Sequence, residues 1–188
     1  MSEGLLEVSE SVLVVIDLQP NFMSGVVDRE RVLARSKFLI SCASALGVPI
    51  IATTQYATRM GGVDPSLVEV LALAEPFIDK MSFSCAGSDH FLRSLERTDR
   101  TQVVLCGIES HICVCQTAID LLGLEYEVYL AGDAISARTQ EAHDIAMRRI
   151  SDSAGWITHT ESCVYEWMRS ADHPQFRQVL GLVKEASD

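Results

Sequence analysis

The chain has 188 residues, of which 48% are apolar and 22% charged, enough apolar material for a sizeable core and against disorder. Its formal net charge of −11 disfavours nucleic acid as a partner, because phosphates attract lysine and arginine. No stretch approaches the roughly 18 apolar residues that cross a bilayer, so we expect no membrane association.

Short apolar segments alternate with longer amphipathic segments along the chain. The apolar segments predict strands at residues 11–16, 48–53, 76–78, 102–106, 126–130 and 155–158. The amphipathic segments predict helices at residues 29–46, 65–73, 89–97, 112–122, 139–151, 162–169 and 174–185. The first and fourth apolar segments are continuous, as in parallel strands covered on both faces. We therefore predict one α/β domain over residues 1–188, a three-layer αβα sandwich around an open, mostly parallel six-stranded Rossmann-like sheet.

Three further features concern the connections. Gly47, Gly123 and Gly155 lie where helices should end, the usual position of a helix-terminating glycine. Residues 55–64 lack any periodicity and are a candidate wall of a binding pocket, because long loops often carry function. The apolar stripe of the last predicted helix packs either on its own domain or against a second subunit.

The cysteines and the N-terminus bear on location. The six cysteines are scattered and form no CxxC pair, so free thiols in a reducing compartment are expected rather than disulfides. The first ten residues are acidic and lack the basic-then-apolar order of a signal peptide. Both observations predict a cytoplasmic protein.

Three reactive side chains follow predicted strands. Asp17 comes directly after the first strand, Lys80 after the third, and Cys113 shortly after the fourth. Ligands of an open parallel sheet bind outside the carboxyl ends of its strands. We therefore expect these side chains to meet at one edge of the sheet.

The chemistry of these groups suggests roles. If Ser110 caps the helix that follows, Cys113 lies in the first turn, where the helix dipole lowers a thiol pKa below about 8.5. Cys113 would then be a nucleophile, with Asp17 as general base and later acid, and Lys80 as electrostatic support. Each also has an ordinary structural interpretation: a core thiol, a solvated carboxylate and a surface lysine.

Other sites are less well supported. The chain has no GxGxxG or GxSxG, and its histidines show no HxxxH or HxH spacing, so we expect neither a cofactor nor a metal. Phe22, Tyr56 and Phe83 follow strand ends and, with Gln55, line a substrate pocket or else belong to the core. His111 lies near that pocket, and its contribution is left open.

Three segments together resemble the isochorismatase-like cysteine hydrolases. They are residues 14–22, VVIDLQPNF, with the pattern D-x-Q-x-x-F; Lys80 with Ser82 and Phe83; and residues 107–114, GIESHICV, which are similar to the nucleophile turn G-[IV]-x-[ST]-x-x-C-V. The resemblance extends from residue 11 to residue 162 and is strongest to the isochorismatase-domain-containing subgroup.

The resemblance implies a triad of Cys113, Asp17 and Lys80, a cis peptide before Glu109, and an oxyanion hole from the backbone N–H groups of Glu109 and Cys113. It also implies a homo-oligomer, a dimer or a tetramer. Nicotinamidases of this superfamily bind a metal through an Asp-Trp-His segment, where this chain has Gln-Tyr-Ala at residues 55–57, so no catalytic metal is expected.

The resulting prediction is a cysteine-dependent hydrolase of a small carboxamide or ureide. The family's namesakes cleave a vinyl ether without a thiol nucleophile, whereas a chain with Cys113 suits acyl transfer through a thioester. The alternative is a scaffold or binding protein that has lost efficient catalysis on the same fold. A phosphoacceptor receiver domain is disfavoured, because Asp17 has no acidic neighbour and Lys80 comes early in the chain.

Overall fold

The computed structural model describes residues 4–72 and 77–186, and a six-stranded sheet forms its centre. The strands are β1 Ser11–Ile16, β2 Ile50–Gln55, β3 Ile78–Lys80, β4 Gln102–Ile108, β5 Glu127–Ser136 and β6 Trp156–Thr158. All neighbouring strands are parallel, in the order β3-β2-β1-β4-β5-β6. The predicted α/β class with an open parallel sheet is confirmed.

Helices cover both faces of this sheet. They are α1 Pro20–Met23, α2 Arg29–Leu46, α3 Ala57–Met60, α4 Asp89–Arg97, α5 Cys115–Gly123, α6 Gln140–Asp152, α7 Thr160–Met168 and α8 Phe176–Glu185. Helices α2, α7 and α8 pack on one face, and α4, α5 and α6 on the other. Within the described ranges, no helix combines the length and apolar content needed to span a bilayer.

Strand β1 shows why its sequence is continuously apolar. Val12, Val14 and Ile16 belong to the core on one face, and Leu13 and Val15 belong to the core on the other. Every residue of the strand is buried. A strand covered on both faces has no solvent side and therefore needs no polar alternation.

The segment after β2 differs from the prediction. The helix predicted at residues 65–73 is wrong over its described part: a 3-10 turn spans Pro65–Leu67, and irregular turns follow to residue 72. The carboxylate of Asp64 accepts hydrogen bonds from the Ser66 N–H at 2.9 Å and the Ser66 hydroxyl at 2.7 Å. Such local capture of backbone donors competes with a regular helix. The aperiodic segment 55–64 also contains one helical turn, α3.

The structure also gives the boundaries of β3 and of three helix ends, which can be compared with the prediction. Pro76, the predicted start of the third strand, lies outside the described residues, and Lys80 is the last residue of β3 rather than following it. Gly47 ends α2 in the left-handed conformation as predicted, with φ of 77°. Gly123 is the last residue of α5 and Gly155 lies between α6 and β6, as predicted, and the left-handed residues after these two helices are Glu125 and Ala154.

The last helix packs on its own chain. In α8, Val179 is fully buried, and Phe176 and Val183 pack against the same core as α2. Of the two alternatives left open for this apolar stripe, packing within the chain is the one observed for these three residues. Leu180 is half-buried and lies outside that core cluster.

Candidate active site

The structure brings Asp17, Lys80 and Cys113 to one edge of the sheet. Asp17 directly follows β1, Lys80 ends β3, and Cys113 lies in a π-helical turn, Ser110–Val114, that follows β4. The carboxyl ends of β1 and β4 form the position where the strand order reverses direction. That position is the usual ligand crevice of an open parallel sheet.

Asp17 and Lys80 form a buried ion pair. The Lys80 Nζ lies 2.6 Å from Asp17 Oδ2, and the two side chains are 0% and 2% exposed. The Thr53 hydroxyl donates to the other carboxylate oxygen, Oδ1, at 2.8 Å. Burial by itself would lower the pKa of Lys80, but the nearby negative charge of Asp17 leads the effects that raise it. Lys80 is therefore a fixed cation that holds Asp17, not a proton acceptor.

A second layer of hydrogen bonds fixes the lysine. Lys80 Nζ also donates to Gln55 Oε1 at 2.8 Å and to the carbonyl oxygens of Phe83 and Ser82 at 3.1 Å and 3.3 Å. Gln55 is in turn held by Gln19, because the Gln55 backbone N–H donates a hydrogen bond to Gln19 Oε1 at 2.7 Å. These contacts lock the ends of β1, β2 and β3 together.

Sequence reasoning missed two residues of this network. Thr53 positions Asp17, and the Gln19 amide joins the end of β2 to the Gly61 carbonyl oxygen through a 2.6 Å hydrogen bond from Nε2. Gln19 stands in the D-x-Q-x-x-F pattern, which marked it without indicating a role. Thr53 could have been found only from its place in the strand beside Asp17.

Cys113 does not have the environment predicted for it. Glu109, not Ser110, precedes the turn, and the Ser110 hydroxyl is buried with no hydrogen-bond partner among the described residues. Burial, followed by the negative charge of Asp17, raises the pKa of the Cys113 thiol, and the opposing effect of Lys80 is smaller. The predicted lowering of this pKa is therefore wrong, and the thiol rests in its neutral form facing a carboxylate.

This reversal has a measurable consequence. We expect the rate of Cys113 alkylation by iodoacetamide to keep rising well above the ordinary thiol pKa of about 8.5, because the folded protein raises the pKa of Cys113 beyond it. Peptide mass spectrometry measures the rate, and free cysteine, whose rate levels off once it is ionised, is the control. A plateau below pH 8 for Cys113 would show a stabilised thiolate instead.

A cavity of about 70 Å³ opens in front of the thiol, and we call it the Cys113 cavity. It is lined by Asp17, Phe22, Gln55, Phe83, Ile108, Glu109, Ile112 and Cys113. Three of the predicted pocket residues are among them. Tyr56 is not: it has a positive φ of 49° at the end of β2 and is 38% exposed. His111 does not line the cavity either, and sequence reasoning missed Ile108 and Ile112.

Strand β4, which leads to Cys113, lies very close to the backbone of β1 at Gly107. Gly107 has φ of 119°, and a Cβ atom there would lie 2.1 Å from the carbonyl oxygen of Ile16. The peptide bond between Ile108 and Glu109 is cis. The Glu109 side chain then borders the cavity, and its Oε2 accepts a 2.8 Å hydrogen bond from Arg138 Nε.

The donors at this edge do not resemble a metal site. In the part of the chain that the structure describes, no three His, Cys, Asp or Glu side chains are grouped so that they could hold a metal ion. The carboxylate of Asp17 is occupied by Lys80 and Thr53.

Comparison with known proteins gives the family. Residues 11–162 match the isochorismatase domain. A secreted isochorismatase effector from Phytophthora sojae is 34% identical over 97% of this chain and 88% of its own length. The MAR1 ribonuclease structure from Caenorhabditis elegans is 31% identical, with a TM-score of 0.89 over 96% of this chain and 93% of that one.

A more distant structure shows the same fold. The Escherichia coli YcaC gene product, described as an octameric hydrolase of unknown specificity, is 18% identical. Its TM-score is 0.85, with 98% of each chain covered. The match to the isochorismatase domain spans most of the sequence and includes Asp17, Lys80 and Cys113. The chain therefore belongs to the isochorismatase domain family.

Proposed function

We propose that the protein is a cysteine-dependent hydrolase that cleaves the C–N bond of a small carboxamide or ureide through a thioester. The family supports hydrolase activity in general. One observation carries the finer proposal: Cys113 and Asp17 border the same small cavity. Lys80 does not line that cavity, and its Nζ lies 2.6 Å from Asp17 Oδ2.

The raised pKa of Cys113 determines the order of events. Since the resting thiol is neutral, Asp17 accepts its proton as Sγ attacks the substrate carbonyl carbon. Asp17 then returns that proton to the leaving nitrogen, the C–N bond breaks, and a thioester remains on Cys113. Water attacks the thioester with Asp17 as base, which releases the acid and restores the thiol.

Backbone donors complete this proposal. The backbone N–H groups of Glu109 and Cys113 would hold the oxyanion that forms during each attack. Both residues border the Cys113 cavity, which supports that assignment. Lys80 touches Asp17 and not the substrate, so we assign it a positioning and electrostatic role.

The test is a screen of small amides and ureides for ammonia release. We expect turnover by the wild type and a loss of at least about 1,000-fold in Cys113→Ala, because the nucleophile is removed. The matched control is Cys115→Ala, the same change at a buried thiol that does not line the cavity. It should keep activity within about threefold. Equal turnover by Cys113→Ala and wild type would refute the thioester route.

One competing function is a scaffold or binding protein without efficient catalysis. The neutral resting thiol of Cys113 favours it, because a neutral thiol is a weak nucleophile. Ligand binding with no ammonia from any compound of the screen would support this alternative. The ribonuclease name of the C. elegans relative raises RNA as a substrate, but a net charge of −11 disfavours a polyanion.

We also propose that residues 1–188 act as one domain and that the protein is a cytoplasmic homo-oligomer. The octameric state of the E. coli structure supports assembly. Met81 and Phe83, 66% and 55% exposed beside the cavity, are apolar surface that another copy could cover. All six cysteines are free and buried, which suits a reducing compartment, although the P. sojae relative is named a secreted effector.

A further inference from the structure

The charged side chains that line the Cys113 cavity are both acidic. Among the described residues, its wall carries two carboxylates, from Asp17 and Glu109, and no cationic side chain. A ligand carboxylate placed there would meet like charges at short range in a partly desolvated space. Lys80 and Arg138 pair with these carboxylates from outside the cavity lining, so they weaken this repulsion but do not contact the ligand themselves.

The two nearest cations are already engaged. Lys80 has no exposed side-chain surface, and its Nζ faces Asp17, Gln55 and two backbone carbonyl oxygens. Arg138 lies outside the wall with its side chain 61% exposed, and its Nε is paired with Glu109 at 2.8 Å. Neither places an unpaired positive charge inside the cavity.

The polar side chains of the wall are satisfied by the protein itself. Gln55 uses its oxygen for Lys80 and its Nε2 for the Met81 carbonyl oxygen at 2.9 Å. Asp17 is paired with Lys80 and Thr53, and Glu109 with Arg138. Each polar side chain of the described wall therefore has at least one protein partner, while the second N–H of the Gln55 amide and the second carboxylate oxygen of Glu109 are not used in these contacts.

What remains is apolar surface in a small volume. Phe22, Phe83, Ile108 and Ile112 supply the rest of the wall apart from the thiol. A cavity of about 70 Å³ corresponds to the liquid volume of roughly two water molecules. This space fits a short hydrocarbon group attached to the carbonyl that Cys113 attacks.

We propose that the substrate is a carboxamide whose acyl group is short, uncharged and apolar, and that compounds with a carboxylate on this group are rejected. The proposal rests on the proposed function, since it assumes that Cys113 attacks the substrate.

Two alkylating reagents of nearly equal size test the charge rule without a known substrate. Iodoacetamide and iodoacetate both transfer a two-carbon group to sulfur with loss of iodide, and only the second carries a negative charge. The rate at Cys113, measured by peptide mass spectrometry, is divided by the rate of the same reagent with free cysteine. We expect iodoacetamide to be favoured by at least about tenfold after this correction.

Charge variants show whether the cavity wall causes the preference. Glu109→Gln removes one carboxylate and frees Arg138, so the preference should fall several-fold. Glu96→Gln is the control, because it makes the same change in net charge at an exposed residue near the far end of α4. It should leave the ratio unchanged.

The outcomes separate this proposal from the proposed function. A corrected ratio near one, or one that favours iodoacetate, overturns the neutral-substrate rule while Cys113 remains an accessible nucleophile. An equal fall of the ratio in Glu109→Gln and Glu96→Gln overturns the assignment to the wall. If neither reagent labels Cys113 in the folded protein, the nucleophile itself is refuted, and both proposals fall.

Discussion

Gly107→Ala destabilises the protein by about 3 kcal/mol or more, because the new methyl group has no space and the backbone no allowed conformation. The Cβ atom would lie 2.1 Å from the Ile16 carbonyl oxygen, and φ is 119°. The obstructing atom is backbone in the central strand β1, so no side-chain rotation relieves the clash. Denaturant unfolding followed by circular dichroism measures the change.

The control for this prediction is Gly181→Ala. Gly181 lies within α8, and a Cβ atom there would meet nothing within 4 Å. Alanine in a helix interior is favoured over glycine by about 0.5–1 kcal/mol, so this variant should be slightly more stable than the wild type. An equal stability for Gly107→Ala and the wild type would show that β4 does not approach β1 as described.

Lys80→Met is expected to lower the free energy of unfolding by about 3–5 kcal/mol, because it leaves the Asp17 carboxylate buried without its cation. The pair is 2.6 Å apart and almost fully shielded from water. Asp17→Asn should lower the free energy of unfolding by a similar amount, because it leaves the Lys80 ammonium group buried without its anion. Lys37→Met, at an exposed residue of α2, is the matched control and should change stability by less than about 0.5 kcal/mol.

The double variant Asp17→Asn/Lys80→Met distinguishes pairing from simple loss of contacts. Because it leaves no buried charge, it should be more stable than the sum of the single effects predicts, by at least about 1 kcal/mol. Amide hydrolysis should be lost in both single variants and in the double one. Additivity of the two single effects would contradict an energetic coupling between Asp17 and Lys80.

Much of the fold was predictable because parallel strands carry a simple signal. The continuous apolar residues of β1 and β4 indicated strands buried on both faces, and the structure has them so. Once the strands were placed, topology alone predicted that Asp17, Lys80 and Cys113 would share an edge. That prediction did not require knowing which strands are neighbours in the sheet.

The electrostatics of the site were not predictable in the same way. A helix-start argument considers only the local chain, whereas the pKa of Cys113 depends mainly on burial by residues distant in sequence and on Asp17. Likewise, the Ser110 cap was wrong because the chain enters a π-helical turn, in which the Val114 N–H donates to the Glu109 carbonyl oxygen at 3.2 Å. Neither feature has a signature in residue spacing.

The packing of the loops also could not be predicted from the sequence. Tyr56 follows β2 directly, as a pocket residue should, yet its left-handed backbone is accompanied by a half-exposed side chain outside the cavity wall. Thr53 and Gln19 stabilise the site through hydrogen bonds between β2 and the segment that follows β1. Such contacts follow from register, which became known only with the structure.

The central claim is that Cys113 carries the acyl group of the substrate during turnover. Its most direct test is the mass of the wild-type protein, acid-quenched while it hydrolyses the best amide of the screen. The account predicts an added mass equal to the acyl group minus the one hydrogen that it replaces, located on Cys113 and absent in Cys113→Ala. Steady ammonia release with no adduct on Cys113, and undiminished in Cys113→Ala, would contradict it.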